Sequence, residues 1–321
     1  MKKKRILIIT TGGTIAMRYE SEVGVVPSNG LIELLNTFEP LNTVAEIAVK
    51  EFSNLPSPHI TPQKMLELAK EVDQLIDSFD GVVITHGTDT LEETAYLLDL
   101  VLKTRKSVVF TAAMRSGNAI GLDGPRNIIS AVRVAAHESS VDKGVLVVLN
   151  DEIHTARDVM KADTSMVNSF VSPGYGKIGY VDTDDIIYHC KNIYRENIWT
   201  DKIDSNVDLI KVTTGMDDRF LRASLLAGAK GIVLEAFGRG NIPPNLLPTL
   251  RTMIHQGIIV VIVSRVTTGR VLPEYGYVGG CKDLVDSGAI LGGDLKGPKA
   301  RIKLMCLLGK YEMVDFVKRM F

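Results

Sequence analysis

Residues 5–14, Arg5-Ile6-Leu7-Ile8-Ile9-Thr10-Thr11-Gly12-Gly13-Thr14, pass without a break from an apolar run into a turn of glycines and hydroxyls. A short apolar run with no polar relief is what a strand buried on both faces of a parallel sheet requires. The preceding Met1-Lys2-Lys3-Lys4 gives it the outline of a signal peptide, but the apolar run is too short and no small-residue cleavage site follows. The stretch therefore reads as a first buried strand feeding a functional turn, in which glycine lets the backbone bend sharply and brings amide N–H groups close to a ligand.

Working outward, the same pattern recurs. Apolar runs at Gly81–Thr85, Ser107–Thr111 and Gly144–Leu149 alternate with helical stretches at Pro62–Ser78, Leu91–Leu102 and Pro125–His137, the first of these capped by Thr61 with proline in its first turn. Strand-helix-strand repetition predicts a doubly wound, mainly parallel α/β domain. Regularity is lost over Tyr180–Asp208, a polar stretch that carries the only tryptophan, Trp199, and it resumes with strands at Leu209–Val212, Gly231–Glu235 and Gly257–Val263 and helices over Asp217–Ala227 and Pro244–His255. The expectation is a two-domain α/β protein: a larger N-terminal domain over 1–190, a linker over 191–208 and a smaller C-terminal α/β domain over 209–321. A chain of 321 residues is long enough for two full cores.

Composition narrows the function classes. Hydrophobic residues make up 45% and charged residues 23%, the balance of a folded globular protein. With 37 Lys+Arg against 38 Asp+Glu and no long block of one sign, nothing offers an electrostatic footprint for nucleic acid or an anionic membrane. No run approaches the ~18 apolar residues of a membrane span. Three scattered cysteines, Cys190, Cys281 and Cys306, form neither a disulfide framework nor a zinc motif, so a cytoplasmic protein with reduced thiols and no metal or cofactor is expected.

In open parallel sheets ligands bind beyond the carboxyl ends of the strands, and four such ends carry chemistry here. Thr10–Thr14 lacks both G-x-G-x-x-G and G-x-x-x-x-G-K-[ST], which argues against nucleotide binding. His86-Gly87-Thr88-Asp89-Thr90 sets a hydroxyl beside a carboxylate; helix capping by Asp89 or Thr90 would account for one polar residue there, not four. Thr111-Ala112-Ala113-Met114-Arg115-Ser116 is followed by Asp123-Gly124-Pro125, which by themselves could be surface loop and cap. Asn150–Thr164 is dense in ionisable groups and reads, taken alone, as a solvated loop. His154 and His189 read as structural or exposed histidines.

Taken together, Thr11-Gly12-Gly13-Thr14-Ile15-Ala16, His86 through Ala95, Met114-Arg115 with Asp123-Gly124-Pro125, and Ala156-Arg157-Asp158-Val159-Met160-Lys161 resemble, in order, the motifs of the bacterial-type L-asparaginase family; Ser264–Gly269 and Lys299-Ala300-Arg301 extend the likeness towards the carboxyl end. The resemblance implies an amidohydrolase with Thr14 as nucleophile, Thr88 beside it, and Asp89 and Lys161 as acid and base. An amide carbonyl is a poor electrophile, so the nucleophile must lose its proton as it attacks. A hydroxyl-lysine-carboxylate cluster in a partly desolvated cleft can accept it. Asp89 would also grip the substrate's α-ammonium group, Ser57 its α-carboxylate, and backbone N–H groups at Thr88 and near Ala113 would hold the developing oxyanion, with Gly13 and Gly87 lining the pocket.

Two departures stand out. Pro58 follows Ser57 where some members carry a second polar ligand, and Val25 stands where relatives place a lid tyrosine, leaving Tyr19 as the nearby phenol. The resemblance also implies a homodimer or homotetramer in which a neighbouring subunit completes the site, through Asn241 and an acid or phenol among Glu274, Tyr275 and Tyr277. L-asparagine is the expected substrate. The alternatives are a mixed asparaginase/glutaminase, the amidase subunit of a tRNA-dependent amidotransferase, and a non-catalytic amino-acid sensor, which would have no use for Thr14 and Lys161.

Overall fold

A computed structural model describes residues 3–28, 31, 35, 39–190 and 195–321. The chain divides into two compact units, Met1–Trp199 and Thr200–Phe321, a division that falls inside the expected 191–208 linker; residues 191–194 of that linker lie outside the described residues.

In the first unit the elements follow as β1 (Arg5–Gly12), β2 (Met17–Glu20), β3 (Gly24–Pro27), α1 (Glu39–Val44), β4 (Glu46–Leu55), α2 (Pro62–Leu75), β5 (Gly81–Thr85), α3 (Leu91–Val101), β6 (Ser107–Thr111), α4 (Gly124–Ala136), β7 (Val145–Leu149), β8 (Glu152–Thr155), β9 (Met160–Lys161), β10 (Phe170–Val171), β11 (Gly179–Val181) and β12 (Ile186–Tyr188). Eight strands form one sheet in the order β12-β11-β8-β7-β6-β5-β1-β4. The five from β4 to β7 are parallel, and β8, β11 and β12 are added antiparallel. The expected strands are all present, and Thr61 caps α2 by accepting from Lys64 N.

Every residue of β5, β6 and β7 is buried. Ile6, Ile8, Val83, Val109, Leu146 and Val148 join Ile128, Ala131, Val132 and Ala135 of α4 in one core. Each fully buried Ile, Leu or Val side chain among these contributes about 1.5–3 kcal/mol. The alternate residues, Leu7, Ile9, Val82 and Ile84, are equally buried and must face the opposite side, because side chains alternate along a strand.

β4 is the parallel sheet's edge strand and is only half-buried. Its sequence, Glu46-Ile47-Ala48-Val49-Lys50-Glu51-Phe52-Ser53-Asn54-Leu55, is interrupted by charge and escapes a search for apolar runs. The dense Asn150–Thr164 segment is not a plain solvated loop. Asn150 and Asp151, with φ of 51° and 60°, form a two-residue turn between β7 and β8, the left-handed geometry that fits the twist of a tight hairpin. Asp151 accepts from Ser130 Oγ (2.6 Å) and Arg126 Nε (3.1 Å), and Asn127 Oδ1 accepts from Asn150 N, so α4 fixes the turn.

The second unit contains β13 (Val207–Lys211), α5 (Arg219–Leu226), β14 (Gly231–Ala236), α6 (Leu247–His255), β15 (Ile259–Ser264), α7 (Cys281–Asp286), β16 (Ile290–Leu291), α8 (Gly297–Lys310) and α9 (Val314–Met320). Its four strands are parallel and lie in sequence order, with α8 packed across β13, β14 and β15. No helix among the described residues is long and apolar enough to cross a membrane.

Candidate active site

The parallel part of the first sheet runs β4-β1-β5-β6-β7, so the chain reverses its direction of travel between β1 and β5. Crossovers leave on opposite sides of such a switch point and open a crevice beyond the strand ends. The two hydroxyl turns, Thr10–Thr14 and His86–Thr90, follow the two strands that flank it. The second sheet keeps its strands in sequence order and has no such reversal.

The turns are pressed together. Gly13, at φ +82°, donates its N–H to Leu55 O at 3.0 Å. A methyl group built on it would lie 2.2 Å from Gly87 Cα and 2.4 Å from Gly87 N, and one built on Gly87 would lie 2.7 Å from Ser57 Cβ and Oγ. Gly13 and Gly87 therefore meet backbone to backbone, and Gly87 lies against the side chain of the buried Ser57, with room for no further side chain between them. Thr90 Oγ1 donates to Ser57 O (2.9 Å) and Thr11 Oγ1 to Thr85 O (3.0 Å), lacing the segments further. Thr90 sits at the start of α3 without a side-chain cap bond: its hydroxyl ties two parts of the site instead. Thr14 begins a short 3-10 helix, Thr14–Ala16, and is half-buried.

Lys161 is delivered by the β9–β10 hairpin, where it pairs with Phe170. The turn before it is shaped by Asp158, which accepts from Thr155 Oγ1 (2.9 Å) and Arg157 Nη1 (2.6 Å). Lys161 Nζ donates to Thr88 Oγ1 at 2.9 Å and to Asp89 Oδ1 at 2.6 Å. Thr88 is 6% exposed and the lysine side chain 17%, whereas the Asp89 side chain is 60% exposed. One end of this chain of bonds thus lies in the protein and the other faces solvent, where an incoming ligand can reach the carboxylate.

Ala113 is buried, and Gly124 lies against both it and Ile15, which joins the β6 turn to the Thr14 helix. The Asp123 carboxylate accepts from Met114 N (2.9 Å), Arg115 N (3.0 Å) and Asn127 Nδ2 (3.2 Å), so the Met114-Arg115 and Asp123-Gly124-Pro125 pieces form one stapled loop.

Sequence reasoning passed over His86, which is completely buried. Nδ1 lies 2.8 Å from Gly87 O and Nε2 lies 3.0 Å from Thr94 Oγ1. A carbonyl only accepts, so Nδ1 carries the proton and Nε2 accepts from the threonine hydroxyl. Burial pushes the imidazole down to about 4, which keeps it neutral at pH 7. His86 thereby pins the turn that presents Thr88 and Asp89. Its place directly after an apolar strand was the only signal available in the sequence.

Among the first-unit residues, Tyr19, His154 and His189 make no hydrogen bond to the Thr88–Lys161–Asp89 chain. Tyr19 lies on β2 with 57% exposure and makes no hydrogen bond to Thr14. His154 is buried and bonded to Ser172 Oγ at 2.9 Å, and His189 Nε2 contacts Lys177 O at 3.0 Å. In the second unit Asn241 Oδ1 accepts from Cys281 N at 3.1 Å, Glu274 pairs with Arg239 at 3.5 Å, and Tyr275 and Tyr277 are 42% and 55% exposed.

A switch-point crevice with a hydroxyl, a lysine and a carboxylate bonded in series defines a two-domain α/β protein with a hydrolase-type polar site. The comparisons refine the class. Residues 5–194 match the asparaginase N-terminal model and residues 206–321 the glutaminase/asparaginase C-terminal domain, so the chain belongs to the asparaginase family. It is 37% identical over 315 residues to the L-asparaginase of Bacillus licheniformis, which spans 96% of this chain and 97% of that protein. A probable periplasmic L-asparaginase of Haemophilus influenzae is 35% identical (98% and 92% covered), and the glutaminase-asparaginase of Pseudomonas fluorescens is 33% identical (100% and 90%).

Proposed function

We propose that the protein hydrolyses L-asparagine to aspartate and ammonia with Thr14 as the nucleophile. The observation that carries this reading is the Thr88–Lys161–Asp89 chain of hydrogen bonds, set beside the Gly13–Gly87 contact that brings the Thr14 turn against the Thr88 turn. Thr14 Oγ attacks the side-chain amide carbon, and its proton passes by way of Thr88 to Lys161, whose bond to Thr88 reverses so that Nζ accepts, and from there to the departing nitrogen. Ammonia leaves; water then attacks the acyl-enzyme ester and the Thr14 hydroxyl is restored. Backbone N–H groups at Thr88 and near Ala113 receive the oxyanion, a contribution of several kcal/mol in water-excluded sites. Asp89, exposed at the solvent end, takes the α-ammonium group, and Ser57 the α-carboxylate. Asn241 of a neighbouring subunit completes the pocket in a homodimer or homotetramer. Tyr19 can act only after the hairpin that carries it moves.

A mixed asparaginase/glutaminase activity is the second reading, supported by relatives named glutaminase-asparaginase. Cytoplasmic residence is part of the proposal and rests on three cysteines without a pairing framework; fractionation decides it, since one relative is named periplasmic. The test of the chemistry is ammonia release from asparagine and glutamine by the wild type and Thr14→Ala. The substitution is expected to lower turnover at least ~10³-fold. Near-normal turnover in Thr14→Ala removes Thr14 as the nucleophile, and binding of asparagine by calorimetry with no ammonia released by the wild type identifies a sensor.

A further inference from the structure

The β2–β3 hairpin leaves directly from the Thr14–Ala16 helix, so its position and that of Thr14 are linked through Met17. It buries little of itself: Arg18, Tyr19 and Glu20 are exposed, as are Val23 (71%) and Val25 (48%). A two-stranded ribbon without a buried face is marginal in water. Something other than apolar burial must hold this one.

The loop that follows Ala113 supplies it. Gly117 N donates to Met17 O at 2.9 Å, Tyr19 N donates to Asn118 Oδ1 at 2.8 Å, and Asn118 Nδ2 donates to Tyr19 O at 3.0 Å. Met17 and Tyr19 are two apart and so present their N–H and C=O groups to the same edge of β2. Arg18 and Glu20 present theirs to β3, opposite Val26 and Gly24. This alternation explains why Pro27, which has no N–H, is tolerated opposite Met17: that pair needs no bond across the ribbon. The Asn118 carboxamide, with an acceptor and a donor on one plane, thus stands in for a third strand, and Ser116 Oγ, 3.3 Å from Asn118 Oδ1, helps orient it. The loop itself is anchored by the Asp123 carboxylate on Met114 N and Arg115 N and by Arg115 Nη1 on Gly121 O (2.6 Å).

We infer that Asn118 is a positioning residue for the reaction: its carboxamide latches the β2–β3 hairpin, and through it sets the alignment of Thr14 and access to it. The role in turnover rests on the proposed amidohydrolase reading; the latch itself does not.

The test uses the full chain carrying Asn118→Ala or Asn118→Asp, read by amide hydrogen exchange and by ammonia release. Exchange across 17–27 is expected to rise about tenfold or more in Asn118→Ala while 81–90 and 107–111 keep wild-type protection. Asn118→Asp keeps the acceptor for Tyr19 N, loses the donor to Tyr19 O, and should fall between the two. kcat/KM for asparagine should drop by about 10- to 100-fold in the alanine variant, mainly through kcat, with the aspartate variant partly restored. Unchanged exchange over 17–27, or faster exchange spread through 81–90 and 107–111 in both variants, overturns the latch. Faster exchange with unaltered turnover overturns its role in the reaction. If the wild type releases ammonia from neither amide, the function reading falls while the exchange measurement still judges the latch.

Discussion

Gly13→Ala tests the contact that assembles the site. The added methyl group would sit 2.2 Å from Gly87 Cα, against the roughly 3.5–4.0 Å at which carbon atoms rest. Both neighbours are backbone and cannot swing aside, so the two turns must part by more than about 1 Å. A displacement of that size costs on the order of 10²-fold in a positioned reaction. Stability suffers twice: an alanine at φ +82° and ψ 179°, a region essentially reserved for glycine, costs about 1–3 kcal/mol in torsion, and the overpacked contact adds about 1–3 kcal/mol. Gly257, also at positive φ (+83°), provides a control without a clash, since an added methyl would meet nothing within 4 Å. Gly257→Ala should therefore show a torsional loss without a steric one, and wild-type turnover. Denaturant unfolding and steady-state ammonia release, run on both variants, show whether the contact costs more than a positive-φ alanine in open space. If Gly13→Ala is no less stable than Gly257→Ala and keeps kcat/KM within about threefold of the wild type, the turns do not meet as described.

Three more outcomes follow from the same geometry. Because burial lowers His86 to about 4 in the folded state from 6.5, the unfolded chain binds the extra proton first as pH falls. Stability present above pH 6.5 should therefore be lost progressively down to about pH 4, by as much as roughly 3 kcal/mol. His86→Gln should flatten that part of the denaturation profile, and an unaltered profile would show that the group does not titrate this way. Lys161→Met leaves Thr88 without its donor and Asp89 without its partner; turnover should fall about 10²- to 10⁴-fold, and Lys161→Arg should not restore it, because a planar guanidinium cannot replace a point donor between two acceptors. Asp123→Ala strips the acceptor from Met114 N and Arg115 N, with an expected loss of about 1–3 kcal/mol in thermal or denaturant unfolding; a change below about 0.5 kcal/mol would mean that solvent satisfies those amides equally well.

Much of this protein was written locally. Unbroken apolar runs are forced into doubly covered parallel strands, so β1, β5, β6 and β7 and the alternating helices could be read from residue type alone, as could the placing of hydroxyl-rich turns at strand ends. β4 could not, because an edge strand needs no continuous apolar run, and the hairpin after β7 was hidden because charged side chains conceal a turn whose signal is only Asn150-Asp151. The motifs suggested that Thr14, Thr88, Asp89 and Lys161 belong together, but proximity is not a property of spacing in the chain. Only the tertiary structure put Gly13 against Gly87 at a reversal of strand order, carried Lys161 from a distant hairpin onto Thr88, and turned Asn118 into a false strand. Hydrogen bonds and steric contacts between segments depend on where the sheet places them, whereas burial and periodicity are already fixed by the order of side chains.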